Sequence, residues 1–143
     1  MKENVIRDKS YSFALQAIAL YRQLCKSGEY VLSKQLLRSA TSIGANVEEA
    51  QAAQSKADFV AKMSIASKEA RETNYWLRLL RDSEICTIDV EKLLSDSESI
   101  INILTAIIKS SSLKYSKSRI QHSKYRIQNS ESKIHYSKFS NVP

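Results

Sequence analysis

The chain is poor in residues that break or bend a backbone. Its 143 residues include two glycines, Gly28 and Gly44, and one proline, Pro143, in last position. Sheets and tight-turned folds draw on many more turn residues, whereas long helices need few. Histidine is missing wherever a folded core could use it, because His122 and His135 both lie near the C-terminus. Cys25 and Cys86 stand far apart and form neither a CxxC pair nor a metal-ligand spacing. The longest uncharged apolar runs, Ser10 to Tyr21 and Ser99 to Ile108, fall well short of the ~20 residues of a membrane span. The opening "MKENVIRDKS" has no apolar stretch after its charges, so no secretory signal is visible. These absences predict a soluble cytoplasmic protein with two free thiols and no membrane partner.

The same scarcity excludes most chemistry. There is no Gly-rich phosphate loop, no G-x-S-x-G and no zinc spacing. A di-iron bundle needs Glu-x-x-His on two helices, and the sequence has none. Cys25 has no histidine partner, so a cysteine nucleophile is not expected. The expectation is a protein without enzymatic activity, cofactor, metal or small-molecule substrate.

What is present is helical periodicity. Hydrophobic content of 43% is ample for a core in one domain. A first helix is predicted from about Asn4 to Ser27, stopped by Gly28, with Phe13, Ala17, Leu20 and Leu24 spaced 4-3-4. A second runs from about Glu29 to Gln54, with Leu36, Ala40, Ile43, Val47 and Ala50 as its seam. A third opens on "SKAD", where Ser55 can cap, and continues to about Asp82. Its heptad seam is Phe59, Met63, Ala66, Ala70, Thr73, Leu77 and Leu80. A fourth starts near Thr87 or Asp89 and ends near Ser110, with Val90, Leu94, Ser97, Ile101, Leu104 and Ile108 inward. Short connections between long helices force antiparallel neighbours. The predicted fold is all-α: an antiparallel up-down-up-down four-helix bundle over residues 1–112, followed by a low-complexity C-terminal tail.

The stretch "LLRSATSIGANVEEA" is unusual within that frame, because small residues fill the middle of a helix. Gly44 alone costs about 1 kcal/mol relative to alanine there. Ala40 and Gly44 lie one turn apart, and Ala66, Ser67 and Ala70 offer small residues on the third helix. Tight packing within one bundle, contact with a second subunit and a ligand pocket are the three readings open to it. On the third helix, Ile65, Glu69, Trp76 and Leu79 flank the seam and widen its apolar face, which points to self-association.

The charge of +7 is unevenly placed. Residues 1–112 carry 15 Lys and Arg against 14 Asp and Glu, whereas residues 113–143 carry seven against one. The bundle is therefore nearly neutral and the tail holds net +6. That tail repeats every seven residues, "YSKSRIQ", "HSKYRIQ", "NSESKIH", "YSKFSNV", and its serine content predicts disorder in the free protein. Two readings stand for it. One is a translated DNA repeat with no role. The other is a nucleic-acid contact through Lys114, Lys117, Arg119, Lys124, Arg126, Lys133 and Lys138, interleaved with Tyr115, Tyr125, His135, Tyr136 and Phe139. A basic face made by assembly would draw instead on Lys34, Arg38, Arg71, Arg78 and Arg81.

Tyr30 to Leu80 resembles the bacterial four-helix-bundle proteins named after 23S rRNA intervening sequences. The residues that carry the likeness are "LSKQLLRSATSIGANVEE", then "SKADF", then "IASKEARETNY". One departure is Glu49-Ala50, where many members have Glu-Gly. The resemblance implies a homo-oligomer, a ring of five subunits, whose role is unknown for most members. Related bundles act as accessory proteins of diversity-generating retroelements, which implies RNA, DNA or a reverse transcriptase as alternative partners; a vestigial product of a mobile insertion, with no role beyond folding, is the other alternative. By position it picks out Gln35, Arg38, Ser42, Asn46, Glu49, Phe59, Glu72 and Tyr75, none of them catalytic. Packing or subunit contact is then the expected work of Arg38, Ala40, Ser42, Gly44, Asn46, Glu49, Ile65, Glu69, Glu72, Tyr75, Trp76 and Leu79. Partly buried Arg38 and Asn46 need partners, and Glu72 and Glu49 are the natural ones.

Overall fold

The computed structural model describes residues 3–139, with side chains through residue 130. It holds four α-helices in chain order: α1 (Val5–Lys26), α2 (Leu32–Gln51), α3 (Lys56–Asp82) and α4 (Glu91–Phe139). Each helix packs on its neighbours in the cycle α1–α2–α3–α4–α1, and neither diagonal pair approaches closely. Side-chain bonds fix the directions. Asn4 and Arg7 at the start of α1 reach Gln51 and Glu48 at the end of α2. Glu49, late in α2, meets Lys62, early in α3, and Arg81, late in α3, meets Glu91 at the start of α4. The bundle is antiparallel throughout.

Local chemistry sets the ends. The Asn4 carboxamide accepts from Arg7 N–H at the head of α1, and Gly28, at φ +86°, takes the left-handed conformation past its end. Ser55 Oγ accepts from Asp58 N–H at 3.0 Å and caps α3. The start of α2 lies three residues later than its pattern suggests, at Leu32, because Glu29 caps it from outside. The Glu29 carboxylate accepts from the N–H groups of Val31, Leu32 and Ser33 at 3.0, 2.8 and 2.7 Å. Asp89 does similar work ahead of α4, accepting from Glu91 N–H at 2.9 Å.

The seams of α1 and α2 are buried at every expected position, and that of α3 at all but Phe59, which is half-buried. In α4, Leu93 and Ile100 join Val90, Leu94, Ser97 and Leu104 in the interior, while Ile101 and Ile108 sit at its edge. The α1–α4 side is the loosest and opens to a cavity of about 450 Å³ beside Asp8, Phe13 and Lys92.

One expectation is corrected. The fourth helix does not end near Ser110: α4 runs to Phe139. Packing stops where the pattern stops, and every residue from Leu113 to Ser130 is exposed. No glycine or proline interrupts α4. The packed half supplies the costly nucleus, and each added residue then gains one backbone bond.

Candidate interaction surface

The outward side of α2 and α3 is built around Arg38. Its guanidinium hydrogen-bonds the Glu72 carboxylate and lies 3.5 Å from Glu69 Oε2. Glu72 Oε1 also accepts from the Trp76 indole N–H at 3.1 Å, so one carboxylate ties α2 to two turns of α3. Gln35 completes the cluster, accepting from Arg38 Nε at 3.4 Å. Glu69 Oε2 is buried and makes no hydrogen bond; its contact with Arg38 is a charge contact without hydrogen-bond alignment. One layer further in, Thr73 donates to the Glu69 carbonyl or the Ser39 hydroxyl, 2.8 and 2.9 Å away, in the buried interior between the helices.

The other small and polar positions resolve separately. Asn46 does not use Glu49: its amide donates to the Ser42 carbonyl one turn back at 2.8 Å. Glu49 instead meets Lys62 at 2.5 Å and raises the lysine's pKa through that bond. Ala40, Ala66 and Ala70 are fully buried. Gly44 faces α1, not α3. A β-carbon there would lie 3.6 Å from the Ser10 carbonyl oxygen, an ordinary contact distance. Its small size serves a close approach to the α1 backbone within the same bundle. Beside it, Arg7, Tyr11, Ala14, Thr41 and Glu48 line a shallow groove of about 160 Å³.

Two outward stripes remain uncovered. On α3, Ile65 and Tyr75 are exposed, with Trp76 and Leu79 half-buried beside them; the Tyr75 and Trp76 rings meet edge-on at 5.1 Å. On α1, Tyr11, Leu15 and Ile18 are exposed at 65, 53 and 41%. They stand at i, i+4 and i+7, opposite the buried seam, and form an apolar face with no partner in the monomer. Sequence reasoning overlooked this face. Its 4-3 spacing was visible, but it reads as a second phase beside the stronger Phe13–Leu24 seam.

Of the basic residues beyond the bundle, Lys114, Lys117, Arg119, Lys124 and Arg126 project from the exposed part of α4. Lys133 and Lys138 lie where α4 is described but their side chains are not. Arg119 stacks over the Tyr115 ring at 5.7 Å. Among the described residues, no three or more His, Cys, Asp or Glu side chains come together as metal ligands would, and no helix is long and apolar enough to cross a membrane.

Comparison with known proteins agrees with the geometry. No curated protein matches the chain. A crystal structure of a protein of unknown function from the S23 ribosomal protein family of Bacteroides thetaiotaomicron VPI-5482 is similar at 50% identity and a TM-score of 0.70. The match covers 73% of this chain and 98% of that one. The profile described as 23S rRNA-intervening sequence protein matches residues 2–106, so the bundle, from α1 to the inner part of α4, places this chain in the 23S rRNA-intervening sequence protein family.

Proposed function

We propose that the chain is a non-enzymatic interaction protein that works as a cytoplasmic homo-oligomer, assembled by setting the α1 face of one subunit against the α3 face of the next. The observation that carries this is the pair of outward apolar stripes, Tyr11-Leu15-Ile18 and Ile65-Trp76-Leu79. They lie on helices at opposite corners of the bundle. Two different faces on opposite sides make a head-to-tail contact, which closes into a ring when the rotation per subunit allows it. The family resemblance implies that five subunits close it. Arg38, Glu69 and Glu72 then sit at the rim of the contact and fix its register more than its strength.

The test uses one charge on each face. Wild-type chain at micromolar concentration is expected to scatter light as a pentamer. Leu15→Glu and Ile65→Glu, both at exposed positions, are each expected to be folded monomers. Mixed in equal amounts they should form a dimer and nothing larger, because each retains the face the other lacks. A wild-type monomer overturns the reading, and mutants that do not complement overturn the head-to-tail arrangement.

A second reading is favoured by the exposed basic stretch of α4: an accessory factor that holds nucleic acid on helices projecting from the assembly. Residues 113–143 carry net +6 against a nearly neutral bundle. Binding of that origin weakens steeply with salt through counterion release.

A further inference from the structure

The exposed part of α4 is a straight polyelectrolyte with two sides. From Leu113 to Ser130 there is no acidic residue and every residue is exposed, over about 27 Å of helix. Each residue turns the helix by about 100°, so Lys117 and Arg119, two apart, stand on nearly opposite flanks. The seven-residue repeat brings each flank back with a drift of only about 20°, placing Lys124 below Lys117 and Arg126 below Arg119. Arg119 is braced on the Tyr115 ring, which orders that flank. On one arc between the flanks lie Ser118, Gln121 and Tyr125, whose side chains can donate and accept hydrogen bonds.

We propose that this segment lies in the major groove of B-form DNA, with Lys117 and Lys124 on the phosphates of one wall and Arg119 and Arg126 on those of the other. The inference rests on the nucleic-acid reading above and adds to it a duplex form and a groove. A helix with its side chains is about 10–12 Å across, and the B-form major groove is about 12 Å wide. Cations on opposite flanks reach both walls of such a groove, which a one-sided basic stripe does not. The major groove of A-form RNA is too deep and narrow for side chains to read. The polar arc of Ser118, Gln121 and Tyr125 faces the base edges. The 27 Å of exposed helix is close in length to eight base pairs.

The experiment measures fluorescence anisotropy of full-length protein with a 20-base-pair DNA duplex, the RNA duplex of the same sequence, and the single DNA strand. DNA duplex is expected to bind at least tenfold tighter than RNA duplex. Four phosphate contacts give a slope of log affinity against log salt of about −3.6 per helix. Ser123→Pro keeps every charge but breaks the helix between the two repeats, and it should cost at least tenfold on DNA duplex. Replacing Lys117, Arg119, Lys124 and Arg126 together by Gln keeps the helix and should abolish binding. Equal binding of the two duplexes, or full affinity in Ser123→Pro, overturns the groove assignment and leaves a flexible polycation, so the nucleic-acid reading survives. No binding of any of the three nucleic acids overturns both.

Discussion

The two halves of α4 are one helix under two regimes. From Glu91 to about Ser112 it buries Leu93, Leu94, Ile100 and Leu104 against α1 and α3. From Leu113 to Ser130 every residue is exposed. The backbone geometry is the same on both sides of that line. The inner half is held by packing, and the outer half by its own backbone bonds, local side-chain contacts such as Arg119 over Tyr115, and the nucleus it inherits. Apolar residues alone do not separate the regimes. Ile120 and Ile127 recur in the outer half, but at one position per heptad, too narrow a stripe to cover a neighbouring helix.

The sharpest way to break this contrast is to make the same truncation on each side of it. Ile100→Ala removes a fully buried side chain and should cost about 2–5 kcal/mol in chemical denaturation. Ile120→Ala, in the exposed half, should stay within about 0.5 kcal/mol of wild type. A large effect at Ile120 would mean that the outer half is covered in solution.

Gly44 gives the next effect in size. Gly44→Leu drives branched carbons into the Ser10 backbone and should cost about 1–3 kcal/mol in melting experiments. Gly44→Ala should be tolerated or stabilising by up to about 1 kcal/mol, because its β-carbon meets Ser10 at contact distance and helix propensity improves. An alanine as damaging as the leucine would show that the approach is tighter than the structure has it.

A smaller effect is expected at the head of α2, where stability depends on charge. Burial alone would raise the Glu29 pKa. The backbone N–H groups of Leu32, Ser33 and Val31, with the Ser33 hydroxyl, outweigh it and hold the carboxyl below its usual 4.5. A depressed carboxyl pKa contributes stability that is complete above the unfolded value. That contribution is lost as pH falls from about 4.5 through the folded value. Glu29→Gln should cost about 1 kcal/mol at pH 7 and should flatten this part of the pH profile. An unchanged acid limb in urea titrations would locate the sensitivity elsewhere.

The smallest change in stability should come from the largest deletion. Ending the chain at residue 112 removes net +6 and no core residue. The denaturation midpoint should hold within about 0.5 kcal/mol while the helical signal in circular dichroism falls. A loss of cooperative unfolding would show that the outer half of α4 supports the core.

Much of the bundle is legible in the sequence because burial follows a 3.5-residue period. Leu36, Ala40, Ile43, Val47 and Ala50 announce their face by spacing alone, and all five are buried. The Arg38–Glu72 pairing is legible as a charge match, although Arg38 is exposed and not partly buried as its helix position suggests. What spacing does not encode is which neighbour a helix side meets. Gly44 is small on account of Ser10, 34 residues earlier, and a pattern in α2 holds no record of α1. The apolar face of α1 escapes for the opposite reason: it is largely exposed and belongs to no buried seam, so no second pattern confirms it. The extent of α4 is not legible because its outer part, exposed from Leu113 to Ser130, has no buried seam to mark a helix.

The unbroken run of α4 from Glu91 to Phe139 makes it a ruler and a protractor. Any segment joined in frame beyond Ser112 is carried outward by about 1.5 Å and rotated by about 100° with each intervening residue. Inserting two residues before a fused domain would swing it to nearly the opposite side of the bundle axis, and inserting seven would return it to about the same side, some 10 Å further out.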